Sequence, residues 1–278
     1  MIQISKRDFE LALPVGTSIH DEVYEAIAPT IDITLDNYTN MLLGEAGIMR
    51  IADIIEVPTL ERYFKTLVAI DAFLSVFRQL DLVLTPTGFG IVSNDTLSPA
   101  SQQRVDALEH QLRTALCRAR AMTVHLLRSA DWGTTAAARK FIRYVYSEHY
   151  FFFSPLNTGA RSFDDWRAMQ TAIRDADEQL RLRFGDAQID DMLDAYRCND
   201  RDRTMSYTEA MQLICDITDQ WATKGTDAAL SATFRRLATL MDSDADTFAL
   251  YHKSNAYTAA HMPTFTNKKD SSAFLFNG

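Results

Sequence analysis

Leu82-Val83-Leu84-Thr85-Pro86-Thr87-Gly88-Phe89-Gly90-Ile91-Val92-Ser93-Asn94-Asp95 is the stretch on which the fold reading turns. Thr85-Pro86-Thr87-Gly88 fits a type I turn, with proline where its φ is preset and glycine where positive φ is favoured. Aliphatic runs flank the turn. They predict one β-hairpin over about 82–93, with Leu82 to Thr85 as the first strand and Gly90 to Ser93 as the second. On both sides the apolar residues return to helical spacing. The expected fold is therefore mainly α: a helical bundle with one β-hairpin and an extended C-terminal arm. Two lone strands are marginal in water. The hairpin is thus expected to pack on helices or to pair with another chain.

Upstream, Ile19, Val23, Ile27, Ile31, Leu35, Tyr38 and Leu42 share one side of a helix over about Ser18 to Leu43. Pro29 is expected to break or kink it, and Gly44 and Gly47 to end it. Pro58 suits the first position of the next helix, where its missing N–H does no harm. That helix carries Leu60, Phe64, Leu67, Ile70, Leu74 and Phe77, joined by Val68, Phe73 and Leu80. So many apolar positions predict cover on more than one side. Asp71 within it is expected to pair with Arg78 or another base.

Downstream, Ser98 and Pro99 start a helix whose stripe runs Val105, Leu108, Leu112, Leu116, Ala119, Met122 and Leu126. Residues 131–135 break it. Another helix is expected from Ala136 toward Tyr146, and Tyr150-Phe151-Phe152-Phe153 as a buried extended segment. Pro155 to Gly159 reads as the internal boundary. Beyond it come helices at Phe163 to Phe184 and Ile189 to Tyr196, and a charged turn at Cys198 to Arg203. A Ser206–Glu209 capping box then opens a helix to about Trp221. A last helix spans Asp227 to about His252. The expected domains are a helical core at 1–155, a helical extension at 156–253 and the arm at 254–278.

Composition narrows the function. The 278 residues are 47% hydrophobic, which supplies a sizeable core, and only 7 prolines and 10 glycines argue against an all-β fold. Net charge is −9, against the basic balance of a free-standing nucleic-acid binder. Arg139, Lys140 and Arg143 read as a solvated helix face. The 3 cysteines, Cys117, Cys198 and Cys215, form no CxxC pair and no disulfide framework. The N-terminus lacks a signal-peptide apolar stretch, and no apolar run approaches the ~20 residues of a membrane span. A soluble protein made in the cytoplasm is expected.

Candidate chemistry fails on spacing. Gly88-Phe89-Gly90 with Ser93 lacks the third glycine of a dinucleotide loop and sits in a hairpin rather than a βαβ unit. Asp242, Asp244 and Asp246 match half of a calcium loop, but Thr247 replaces its glycine and Lys253 its bidentate glutamate. The 6 histidines show no metal-ligand spacing. Glu148-His149 could form a buried polar pair, though a satisfied structural histidine is the commoner outcome for such a residue. No catalytic residue, cofactor or metal is expected, and no enzyme activity. The residues singled out are instead contact residues: Pro86, Thr87, Gly88 and Phe89 in the hairpin, and Phe265, Phe274, Leu275 and Phe276 in the arm, where aromatics stand with little to bury them.

Residues 80–101, including Leu84-Thr85-Pro86, Gly88-Phe89-Gly90, Val92-Ser93-Asn94 and Pro99-Ala100-Ser101, resemble an uncharacterised protein family of Bacteroidetes phages and prophages. Those proteins look like virion structural components of the head–tail adaptor (connector) kind. The resemblance covers about the first 130 residues. It implies a homo-oligomeric ring in a tailed-phage neck, contacting the portal protein and adjacent neck and tail proteins. DNA passes only as cargo in the channel, and no membrane is involved. Localisation would be the virion. A tail-completion or minor capsid protein is the alternative, followed by an enzyme with an unrecognised site.

Overall fold

The computed structural model describes residues 2–13, 22–44, 56–79, 82–85, 88–91, 101–154 and 161–262. Two compact units divide the chain: Met1–Thr171 with Asp194–Arg201, and Ala172–Leu193 with Asp202–Gly278. The divisions fall inside helices. The segment around Pro155 to Gly159, expected as the boundary, lies outside the described residues.

In the first unit, α1 (Lys6–Ala12) starts at a capping box. Asp8 N–H donates to the Ser5 hydroxyl at 3.2 Å, and Ser5 N–H donates to the Asp8 carboxylate at 2.9 Å. Each side chain thus satisfies a backbone donor that the helix leaves open. Helix α2 (Glu22–Tyr38) runs through Pro29 and continues as a π turn, Thr39–Leu43. Of the expected break or kink at Pro29, the break is not formed: the helix runs on through it, with the proline on an exposed position. Gly44 ends the segment at φ +62°, a conformation that costs glycine little.

Helix α3 (Pro58–Val76) is central to this unit. Leu60, Phe64, Leu67, Val68, Ile70 and Phe73 are all buried, because α1, α2 and α4 (Gln102–Leu127) each pack on it. Burying an aliphatic or aromatic side chain of this size contributes about 1.5–3 kcal/mol. Phe9 of α1 meets Phe73 edge-on, with centroids 6.1 Å apart. Asp71 does not pair with Arg78. It accepts a hydrogen bond from Tyr38, while Arg78 reaches across to Asp106 and Glu109.

The fold class is mainly α; the hairpin of that expectation is corrected, and so is the start of the arm, whose residues past Met262 lie outside the described residues. The pairing joins β1 (Leu82–Thr85) to β2 (Gly88–Ile91), with Thr85 opposite Gly88 and Leu82 opposite Ile91. The second strand begins at Gly88, two residues before the expected Gly90, and Val92 and Ser93 lie outside the described residues. A turn beginning at Thr85 pairs its first and fourth residues, so the ladder already starts at Gly88. Among the described residues the two four-residue strands are the only sheet. They form no layer of the architecture, which helices carry.

After α4 come three short helices: α5 (Ala130–Gly133), α6 (Ala136–Phe141) and α7 (Glu148–Phe153). Helix α6 stops at Phe141, short of Tyr146. The expected extended segment at 150–153 is helical instead. Ser147 caps it, its hydroxyl accepting from Tyr150 N–H at 3.1 Å, and Phe151 is buried beside Trp166, centroids 5.1 Å apart. Tertiary burial overrides the weak helix preference of aromatic residues.

Helices α8 (Phe163–Phe184) and α9 (Asp186–Arg197) follow. In the second unit Ile173, Ala176, Leu180 and Phe184 bury one stripe of α8. Helix α10 (Arg201–Ser206) occupies part of the expected charged turn. The expected Ser206–Glu209 box is not formed. Ser206 closes α10, donating its hydroxyl to Asp202 O at 3.1 Å, and Tyr207 precedes α11 (Thr208–Ala222). Helix α11 packs on α12 (Asp227–Ser243). The expected last helix is broken: α12 ends at Ser243 and a turn precedes α13 (Ala249–His252). The Asp244 carboxylate accepts from Thr247 N–H at 3.0 Å and stabilises that turn. The expected arm does not begin at Ser254. That residue caps α14 (Asn255–Ala260), its hydroxyl accepting from Tyr257 N–H at 3.1 Å.

Candidate functional site

Of the residues singled out in the hairpin, Gly88 and Phe89 lie in β2, opposite Thr85 and Leu84. Pro86 and Thr87 lie outside the described residues, as do Phe265, Phe274, Leu275 and Phe276 of the C-terminal segment. The structure brings a different set together, at the junction of α4, α7 and the last turn of α9 in the first unit.

His125 of α4 and His149 of α7 stack, with centroids 3.6 Å apart and planes 11° from parallel. His149 also stacks on Phe153 at 5.2 Å. Arg128, one residue past α4, reaches back: Nε donates to His125 O at 3.0 Å, and Nη2 lies 3.2 Å from His125 Nε2. Its Nη1 donates to Tyr196 O at 3.2 Å, and its guanidinium sits 4.0 Å from the Tyr196 ring centre. The hydroxyl of Tyr196 lies 3.4 Å from His125 Nδ1. Arg128 meets carbonyls and rings here rather than a carboxylate. Burial and the Arg128 charge, together with His149, hold the His125 ring down at about 3. Burial and Arg128 hold His149 at about 4.

Next to His149 in the chain, Glu148 takes part in a half-buried ion pair. Arg120 donates to Glu148 from Nε at 3.0 Å and from Nη2 at 2.5 Å, and its Nη2 also reaches Cys117 Sγ at 3.5 Å. Glu148 therefore pairs with Arg120, not with its neighbour His149. Burial pushes the Cys117 thiol up to about 11, away from nucleophilic use. The cavity beside the imidazoles measures about 10 Å³. That is room for one water and no substrate.

The second unit gathers charge in two places. Arg181 pairs with Asp177 at 2.7 Å and with Asp190 at 2.8 Å. Asp191 accepts from Arg203 and, at 2.6 Å, from the Tyr207 hydroxyl. Both clusters tie helices of that unit to each other. Asp242, in the stretch whose match to a calcium loop fails on spacing, lies 3.4 Å from His261 Nε2. Among the described residues, no group of three His, Cys, Asp or Glu side chains has metal-holding geometry, and no helix is long and apolar enough to cross a membrane. Arg139, Lys140 and Arg143 are exposed.

The histidine stack was missed because its members sit 24 residues apart, on either side of two short helices. The one local signal was Arg128, three positions after His125 and just past the end of the helix.

Residues 16–142, the stretch holding α2 through α6, match a family of unknown function, DUF6712. No curated protein and no solved structure matches the chain.

Proposed function

We propose that this chain works by assembly, as a homo-oligomeric ring in the neck of a tailed bacteriophage that joins the portal to the tail. The particle comes from the resemblance of residues 80–101, a stretch that falls inside the matched residues 16–142. The observation that carries the assembly mode is the exposure of large apolar side chains on each unit taken by itself. Leu11 is 76% exposed and Ile33 62% in the first; Leu182 is 73% and Met205 66% in the second. A ring closes by rotation through heterologous contacts, each protomer offering two different faces, and such apolar positions suit them. Net charge of −9 suits a channel wall along which DNA slides without counterion-release affinity.

The mass of the purified chain by light scattering, alone and with the portal protein, tests the reading. A closed multimer, or a defined complex with the portal, is expected. A monomer that ignores the portal at high micromolar concentration overturns it. Incorporation elsewhere in the particle would favour a tail-completion or minor capsid role. Truncation after Met262 removes Phe265, Phe274, Leu275 and Phe276 but keeps α14, and is expected to weaken portal attachment while leaving the helical body folded.

A further inference from the structure

The contact between α4 and α7 has a property that ordinary helix packing lacks. A guanidinium donates hydrogen bonds and never accepts them. Arg128 Nη2, 3.2 Å from His125 Nε2, therefore requires that nitrogen to be an acceptor. The ring proton then sits on Nδ1, facing the Tyr196 hydroxyl at 3.4 Å. Only neutral His125 satisfies this geometry. A proton on Nε2 would set N–H against N–H. A proton on His149 would place a cation in the stack, 3.6 Å from the first ring and beside Arg128.

The surroundings supply no compensation. Helix α4 presents Arg120, and the residue after it is Arg128. Helix α7 presents Glu148, which Arg120 already holds through two hydrogen bonds. Helix α9 presents Tyr196, and α6 presents Phe141 at the small cavity. Glu148 lines the same small cavity, but among the described residues no carboxylate forms an ion pair or hydrogen bond with either imidazole.

We propose that the His125–His149 stack is an acid-sensitive latch: the neutral rings hold α7 against α4, and proton uptake releases α7. Burial and Arg128 keep both rings far below the ordinary histidine value of 6.5, His125 at about 3 and His149 at about 4. The sign follows from linkage. Released rings take up protons below pH 6.5 and docked rings do not, so docking is strongest above that pH and weakens as pH falls toward 4. The inference concerns one unit of the chain and is independent of the assembly reading.

Hydrogen exchange of amides 148–153 in the full chain, corrected for the intrinsic pH effect, tests it at pH 7 and pH 5. Loss of protection by about tenfold is expected in the wild type, less than the full linkage of two histidines because both rings are partly solvated. The double variant His125→Gln, His149→Phe keeps an acceptor for Arg128 and an aromatic face, but has nothing to titrate. Its protection is expected to be the same at both pH values. Unchanged wild-type protection at pH 5, or an equal loss in the double variant, overturns the latch. Should the double variant not fold, imidazole nitrogen resonances of the wild type decide. Two of the 6 histidines still neutral at pH 5 support the latch; all of them protonated in the folded chain refute it.

Discussion

Gly133→Ala sets two effects of opposite sign against each other at one atom. Alanine is the better helix former by about 1 kcal/mol, and Gly133 is the last residue of α5, so propensity alone forecasts a small gain. The tertiary structure forecasts a loss. A Cβ on Gly133 would lie 2.5 Å from the Cys198 amide nitrogen and 2.6 Å from both Arg197 C and Cys198 Cα. These are main-chain atoms at the end of α9, so no side chain swings aside and the backbone itself must retreat by nearly 1 Å. Overpacking of this kind costs roughly 1–3 kcal/mol, and contacts on backbone lie at the upper end. Subtracting the propensity gain leaves a net destabilisation of about 2 kcal/mol. For a unit of this size that lowers Tm by about 4–8 °C. Trp132, adjacent in sequence and fully buried, reports that transition by fluorescence in a thermal scan. A Tm equal to or above that of the wild type would refute the close crossing of α5 and α9.

Three further outcomes follow from single contacts. Trp132→Phe removes the indole N–H that donates to Leu42 O at 2.8 Å and leaves a buried carbonyl of the π turn unpaired, costing about 1–3 kcal/mol in urea unfolding; an unchanged midpoint at equal m-value would show the carbonyl finds another donor. Gly185 has φ +83°, and a Cβ there meets Ser254 Cβ at 3.1 Å, so Gly185→Ala is expected to destabilise the second unit by about 1–2 kcal/mol, read from Trp221 fluorescence; a stabilised variant would contradict the strain. Cys117 and Cys215 are buried with raised thiol values, so at pH 8 an aromatic disulfide reagent should modify at most one thiol in the native chain and all 3 after unfolding; rapid native reaction of two or more would refute their burial.

Much of the helical layout was legible because apolar spacing survives any tertiary context. The stripe through Leu60, Phe64, Leu67 and Ile70 called for cover on several sides, and α3 has it. Phe163 to Phe184 was bounded correctly by Ser162, whose hydroxyl accepts from Asp165 N–H at 3.2 Å. The errors lie where local preference is weak and a neighbour decides. Tyr150 to Phe153 have mediocre helix preference, yet Ser147 caps them and Phe151 is buried beside Trp166. Ser254 looked like the start of an arm, but Tyr257, one turn on, packs edge-on against Tyr251 at 5.2 Å and makes a helix worthwhile. Ser206 carried the letters of a capping box, but the preceding turn claimed its hydroxyl.

The histidine stack was out of reach for the same reason. His125 and His149 are unremarkable letters until two short helices bring their rings face to face, and Arg128 becomes a constraint on proton position only at 3.2 Å. The order of residues settled which segments coil and which side of each is apolar, since periodicity and proline or glycine punctuation act over a few neighbours. Folding in three dimensions settled where α5 crosses the end of α9, which carboxylate Arg120 holds and which tautomer His125 carries, because those depend on atoms far apart in the chain meeting within a few ångströms.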